Sequence, residues 1–185
     1  MTGPDRPSGA APRNLGGTDL KRLHRDWRRR TDGRLALVLD GVAGPFNVGA
    51  IIRTAAAERV DHLWFAGGAT TDANPRVGRT ALGTERYIQT SETATTADAI
   101  AEARTQGYLV VGIELASGAA ALHELDLSGD VCLVIGHEDR GIGRDALAAC
   151  DTLGFIPQLG KVGSLNVATA ASIAIYEVRR QHWTA

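Results

Sequence analysis

The sequence predicts an α/β domain built on a mainly parallel sheet with helices on both faces. Three observations carry this. Short apolar runs at 35–39, 62–66, 108–113, 131–135 and 153–156 read as buried strands. Alanine-rich or helically periodic segments fall between them, so strands and helices alternate along the chain. The 185 residues, 44% hydrophobic and 22% charged, are enough for one sizeable core.

Taken in order, residues 1–17 are rich in Pro, Gly, Ala and Ser and read as a disordered tail. Residues 18–34 read as a basic helical extension, with Asp19 capping a short helix that runs to about Arg30. The main domain then spans 35–185. Its first strand, Leu35–Leu39, leads into a loop with two glycines and a proline. Asn47 caps a helix to about Glu58, with Ile51, Ile52 and Ala55 facing inward. His62–Ala66 is the second strand. Pro75–Leu82 is a short helix with proline at its first position, and Arg86–Gln89 is a short strand. Thr96–Gln106 is an alanine-rich helix ended by Gly107, and Tyr108–Ile113 is a strand. Val131–Ile135 is followed by the polar loop GHEDRGIG and a short helix, Arg144–Cys150. Leu153–Ile156 is the last strand, closed by Pro157 and a turn at 158–163. Ser164 then caps a long final helix. Leu165, Thr169, Ser172, Ile173 and Tyr176 share one of its faces, and alanines at 168, 170, 171 and 174 keep it thin. There is no internal repeat.

No apolar run approaches the roughly 20 residues of a membrane span. The N-terminus lacks the basic start and apolar middle of a signal peptide. A cytoplasmic protein without membrane partners is expected. Cys132 and Cys150 give neither a disulfide framework nor zinc spacing. The five histidines show no metal-ligand pairing and are expected on the surface or in loops, so no metal site is predicted. The net charge is −1, yet Lys21–Arg34 holds seven of the twenty Lys and Arg residues against two acids, with Trp27 among them. Lys21, Arg22, Arg25, Arg28, Arg29 and Arg30 could contact RNA phosphates while the ring stacks a base. A solvated helix face is the other reading.

Ligands of such sheets bind at the carboxyl ends of the strands. The loops after 35–39, 131–135 and 153–156 are therefore the candidate walls. Three polar segments stand there: NVGAIIR (47–53), GHEDRG (136–141) and SLNV (164–167). Asn47 and Arg53 point roughly 120° apart on an ideal helix, and reach one site only if Arg53 folds back. Gly141, Gly143 and Ala146 match the dinucleotide pattern G-x-G-x-x-A, but His137–Arg140 separate it from the strand and Lys161 stands where an acid is required. There is no phosphate loop of the G-x-x-x-x-G-K-[ST] type. There is also no G-x-S-x-G elbow, so Ser164 is not read as an acylating nucleophile.

With NVGAIIRTA (47–55), LVIGHEDRGI (133–142) and IPQLGKVGSLNVATAASIAIYEVRR (156–180) in this order, the sequence resembles the SpoU/TrmH branch of the SPOUT methyltransferases over about residues 35–182. It departs at position 137, which is His where many members carry Asn, Ser or Ala. The resemblance implies ribose 2′-O-methylation of RNA with S-adenosylmethionine as donor, a trefoil knot at the C-terminal end, and an obligate homodimer with cofactor sites near its interface. It further implies that Arg53 is the catalytic arginine, that Asn47 orients Arg53 or the ribose, and that Glu138, Ser164 and Asn166 complete a polar wall. The backbone at Gly136, Ile156 and Leu165, with Leu115 at the preceding strand end, would hold the cofactor's adenosine.

The expectation is an RNA 2′-O-ribose methyltransferase, with transfer RNA ahead of ribosomal RNA. The chain has no room for the separate N-terminal RNA-binding domain of many ribosomal-RNA members, and the basic stretch would serve instead. A non-catalytic RNA-binding protein of the same fold is the alternative, against which Asn47, Arg53, Glu138, Ser164 and Asn166 speak together. A nucleotide-dependent oxidoreductase rests on the G-x-G-x-x-A match alone.

Overall fold

Apolar runs buried on both faces can pair only within a covered sheet, and seven strands do so here. They are β1 (Leu35–Asp40), β2 (His62–Ala66), β3 (Gln89–Glu92), β4 (Leu109–Ile113), β5 (Ala120–Ala121), β6 (Val131–Ile135) and β7 (Thr152–Phe155). The structure, a computed structural model, describes residue 11 and residues 13–183. Residues 1–10 and 12, most of the stretch read as a tail, lie outside the described residues. All pairings are parallel, in the order β3-β2-β1-β6-β4-β7-β5. Strand β6 is thus inserted between β1 and β4, and β7 lies on the far side of β4. The register sets Ile113 level with Ile135 and with Gly154, so β4, β6 and β7 end together.

Alternate residues of the strands feed two cores. Leu35, Leu37 and Leu39 face α2 (Pro45–Ala57), α3 (Pro75–Ala81) and α6 (Val167–His182). Ala36, Val38, Trp64 and Cys132 face α4 (Thr96–Thr105) and the segment around α5 (Arg144–Ala149). Helix α1 (Gly17–Arg29) stands outside both and has no buried residue. Its Leu20, Leu23 and Trp27 lie along one side, with Trp27 against Trp183 at 5.0 Å and under the Arg30 guanidinium at 5.0 Å. Lys21, Arg22, Arg25, Arg28 and Arg29 line the other side and are exposed, as is Arg30 just beyond the helix.

Several sequence expectations are corrected. The cap of α1 is Gly16, and Asp19 lies within the first turn facing Arg13 at 3.5 Å. Helix α2 begins with Pro45 after Gly44, because proline lacks the N–H that a first turn leaves unpaired. Asn47 therefore lies inside the helix and is not its cap. Helix α6 starts two residues later than expected. Asn166, not Ser164, is its cap, accepting the Ala168 and Thr169 N–H groups at 3.0 and 3.2 Å. Residues 85–87 form a 3-10 turn, and the edge strand follows at Gln89–Glu92, whose polar side chains carry no apolar signal. Two histidines are buried, not superficial: His62 stacks on Trp64 at 3.8 Å, and His182 lies under Gly33. Burial lowers the pKa of both.

The face of α6 read from the sequence points outward, with Ile173 and Tyr176 exposed. The buried face comprises Ala171, Ala174, Ile175 and Val178, followed by Arg179 and His182. Helices α2 and α6 run side by side and are joined at three levels. Asn166 bonds Asn47, the Thr54 and Ser172 hydroxyls lie 3.1 Å apart, and Arg179 closes the far end. The Arg179 guanidinium donates to the carbonyls of Glu58 (2.8 Å), Arg59 (2.6 Å) and Gly33 (3.1 Å), and NH1 lies 3.0 Å from His182 Nδ1. Guanidinium only donates, so His182 Nδ1 is the acceptor and its Nε2–H donates to Gly129 O at 2.8 Å. Two of the three carbonyls belong to the negative end of α2. Replacing Arg179 by Met should lower stability by about 3 kcal/mol, because three buried acceptors lose their donor together. Urea unfolding monitored by circular dichroism measures this, and an unchanged midpoint would mean that solvent replaces the guanidinium.

Candidate active site

The level ends of β4, β6 and β7 leave a cleft of about 410 Å³ between the loops that follow them. Gly136, Ile156, Leu165 and Leu115 all line it, as do Glu138 and Ser164. Its walls are partly apolar, from Ile113, Ile135, Phe155 and Val167, and its size falls in the range of small-molecule sites. A larger hollow of about 930 Å³ lies under α1, where Arg28, Arg34, Arg59 and Arg179 face Asp32, Glu58, Asp61 and Asp130. It faces the starts of β1, β2 and β6, the end of the sheet opposite to the strand carboxyl ends.

A chain of hydrogen bonds ties the three predicted segments together beside the smaller cleft. Asn166 caps α6 through Oδ1, so its Nδ2 is the end left to donate, and it reaches Asn47 Oδ1 at 3.0 Å. Asn47 Nδ2 then donates to Glu138 Oε1 at 2.9 Å. The Glu138 carboxylate also accepts the N–H groups of Gly44 (2.8 Å) and Ala43 (3.1 Å). Each amide orientation is fixed by its neighbour, because a capping oxygen and a carboxylate can only accept. Burial pushes the Glu138 carboxyl up. The bonds from Asn47, Ala43 and Gly44 outweigh that and bring its pKa down to about 2. Glu138 is therefore an ionised acceptor at neutral pH and a weak base.

Loop 137–141 is closed by paired backbone bonds between His137 and Gly141, at 2.9 and 3.0 Å, and Gly141 has a φ of 65°. A Cβ on Gly141 would strike the Glu114 carboxylate, which holds the Ile142 N–H at 2.9 Å and the Leu115 N–H at 3.0 Å. A Cβ on Gly136 would overlap the backbone of Gly141 and Ile142. Glycine at 136 is thus required by the chain itself. The close neighbour is the chain's own loop, so a side chain there breaks the cleft wall before it meets a ligand. The Gly143 N–H is taken by Asp40 Oδ2 at 2.8 Å, which leaves the G-x-G-x-x-A segment no free donor there for a dinucleotide phosphate.

Two predicted residues stand apart from this network. Ser164 lines the cleft, but its hydroxyl makes no hydrogen bond among the described residues. Arg53 is exposed on the outer side of α2, does not line the cleft and forms no ion pair among the described residues. Asn47 does not orient it, since both ends of that amide are engaged by Asn166 and Glu138. Sequence reasoning missed Glu114 and Gln158, which also line the cleft. Glu114 was findable, because it directly follows the strand ending at Ile113. Gln158 carried no signal beyond its place in a turn.

Comparison with known proteins places these features in context. The model of the SpoU rRNA Methylase family matches residues 34–176. The tRNA (guanosine(18)-2′-O)-methyltransferase of Escherichia coli is 34% identical over 85% of this chain and 67% of its own length. Curated relatives from Synechocystis and Acinetobacter baylyi are covered over 55% and 62% of their length, so this chain spans about three fifths of them. The AdoMet-bound rRNA methyltransferase of Sinorhizobium meliloti aligns with a TM-score of 0.77 and 31% identity, over 84% of this chain and 59% of that one. A structure described as giving insight into 2-OH methylation of C/U34 on tRNA aligns with a TM-score of 0.70 and 35% identity, over 80% of this chain and 96% of that one.

The lowered pKa of Glu138 has a consequence for stability. Its folded value of about 2 lies below the ordinary 4.5. The carboxylate therefore contributes stability that is fully present above about pH 5 and lost as pH falls toward 2. Replacing Glu138 by Gln should destabilise the protein at pH 7, and the gap to the wild type should narrow as pH falls from about 5 to 3. Urea midpoints for both proteins across that range test it, and a gap independent of pH would show that the charge is not involved.

Proposed function

Since this chain belongs to the SpoU rRNA Methylase family, we propose that it is an S-adenosylmethionine-dependent RNA ribose 2′-O-methyltransferase, with transfer RNA the favoured substrate. The observation that carries this reading is the Asn166–Asn47–Glu138 chain set beside a ligand-sized cleft at the strand ends. The Escherichia coli relative is named for a tRNA ribose and the Sinorhizobium meliloti structure for rRNA. The structure connected with C/U34 on tRNA is 35% identical and covered over 96% of its length, which supports transfer RNA.

The cleft fits the cofactor in size and in chemistry. Apolar walls suit the adenine ring, backbone at Gly136, Ile156 and Leu165 suits its polar edge, and Leu115 packs beside it. Glu114, Glu138 and Asp139, also in the lining, suit a cationic group. When bound, the cofactor supplies an electrophilic methyl group. The chain's own residues then have to bring a ribose 2′-hydroxyl to it and stabilise the charge that develops as the proton leaves. Glu138 is too acidic to accept that proton well, and its work is to lock the 43–44 loop and Asn47 in place. Asn166 holds Asn47 from the other side, and the unengaged Ser164 hydroxyl is the group free to meet the ribose. Arg53 supplies positive charge to the developing alkoxide or to an adjacent phosphate.

The reading extends to assembly. Phe46, Ile173 and Tyr176 are exposed along the outer side of α2 and α6, the side that carries Arg53. A homodimer buried on this face is proposed, together with a trefoil knot, which the insertion of β6 between β1 and β4 supports. A cytoplasmic location is part of the same proposal; no helix among the described residues is long and apolar enough to cross a membrane. The basic side of α1 (Lys21, Arg22, Arg25, Arg28, Arg29), with Arg30, is assigned to RNA phosphates. Trp27 is engaged by Trp183 and Arg30 and is not assigned to a base. A non-catalytic RNA-binding protein of the same fold is the alternative.

Arg53→Ala should lose methyl transfer by a factor on the order of a hundred or more, while affinity for S-adenosylhomocysteine holds. Single-turnover transfer at saturating RNA and cofactor checks this, and a normal rate in the variant removes Arg53 from the chemistry. No transfer by the wild type to any cellular RNA favours the alternative. Deleting residues 1–30 should weaken RNA binding and flatten its salt dependence, leaving cofactor affinity intact. Binding curves unchanged at every salt concentration would return the basic helix to the role of a solvated face.

A further inference from the structure

Gln158 stands on the cleft wall formed by Phe155, Ile156 and Leu165. Its Oε1 is buried and has no hydrogen-bond partner among the described residues. A buried acceptor left empty is unfavourable, and native structures keep few of them. The terminal torsion of glutamine is broad, so the amide can turn its oxygen toward the cleft that the residue lines. Because it gives up no hydrogen bond in turning, the rotation costs little. The site therefore offers an acceptor that only a ligand N–H would satisfy.

Two features decide which N–H this is. The cleft's carboxylates, Glu114, Glu138 and Asp139, belong to the loops after β4 and β6, whereas Gln158 belongs to the loop after β7, so a cationic ammonium or sulfonium is drawn to the former. The lining residues that lead to Gln158 along the chain, Phe155 and Ile156, are apolar, as a flat base requires. A glutamine amide also matches adenine on two atoms, accepting from the 6-amino group and donating to a ring nitrogen. Resting on the reading of this cleft as the cofactor site, we propose that Gln158 is the side chain that reads the adenine ring, with Oε1 accepting the 6-amino N–H. The backbone groups assigned above hold adenosine by shape. Gln158 adds selection for the amino group itself.

Calorimetry on the full chain tests this with S-adenosylhomocysteine and its purine analogue, in which hydrogen replaces the 6-amino group. The wild type should bind S-adenosylhomocysteine about tenfold or more tighter than the analogue. Gln158→Leu, similar in size and apolar, should lose about that factor for S-adenosylhomocysteine and bind the analogue as the wild type does. The melting temperature of the ligand-free variant should be unchanged or raised, since an empty acceptor has been removed. An undiminished preference for the amino group in the variant overturns the proposal. A lower melting temperature with unchanged binding also overturns it, by assigning the amide to the fold. If the loss disappears with 5′-methylthioadenosine, which keeps adenine but lacks the amino-acid part, the oxygen serves the ammonium group and the proposal again falls. A wild type that binds none of these ligands overturns the cofactor reading itself, an outcome distinct from all the others.

Discussion

The site depends on one carboxylate that four donors compete to hold. Glu138 sits on the loop after β6, yet its partners are Ala43 and Gly44 before α2 and Asn47 within it, and its own backbone contributes as well. Through Asn47 the link passes to Asn166 and so to the start of α6. Three strand-end loops far apart in sequence are thus fixed by a short series of charge-assisted and amide bonds. Remove the carboxyl group, and Asn47 keeps only one of its two anchors while two loop N–H groups lose their acceptor. The same donors that make Glu138 strong as a tie make it poor as a base. Structure and acid–base chemistry compete for one carboxylate here, and structure has the stronger claim.

Close packing of backbone against backbone accounts for the glycines around this tie. Gly44 lies where a Cβ would meet Glu138 at 2.8 Å, and Gly136 lies against the chain at Gly141 and Ile142. These loops approach one another more closely than side chains allow. Main chain therefore stands in the cleft walls beside the apolar side chains. Glu114 and Gln158 also line the cleft, and they differ. Both oxygens of Glu114 hold loop N–H groups, so it shapes the wall. Gln158 Oε1 holds nothing.

Much of this was legible from residue order, for a physical reason. A parallel strand buried on both faces has to be apolar throughout, and the loop after it then carries whatever polar chemistry the fold needs. That contrast found the segments 47–53, 136–141 and 164–167, and the resemblance to the SpoU/TrmH branch singled out Asn47, Gly136, Glu138 and Asn166 within them. Positions fixed by contacts across the fold were not legible. Ser164 and Asn166 both suit a helix start, and the choice of Asn166 depends on Asn47 across the gap. Arg179 and Arg180 are adjacent, and only the phase of α6 against α2 decides that one is buried among carbonyls while the other pairs with Glu177 in solvent. Strand β3 is polar and half exposed at an edge, so no apolar run announces it.

Helix α2 joins two tasks that the cleft by itself keeps apart. Its first turn is fixed to the polar wall through Asn47. Arg53 follows six residues on, about 9 Å along the axis, on the outer side with Phe46. The opposite side of α2 is sealed by Ile51, Ile52 and Ala55 against the sheet and α6, so the arginine cannot swing into its own subunit's cleft without leaving the helix. A rigid helix anchored at one end and carrying on its exposed side a cation unpaired among the described residues presents that charge at a fixed place. In the proposed homodimer this face meets a second copy, and Arg53 would then be presented at the subunit boundary, where RNA could reach it. A charge delivered by a fixed helix needs no reorganisation when the alkoxide forms, and such preorganised charge stabilises a transition state most effectively.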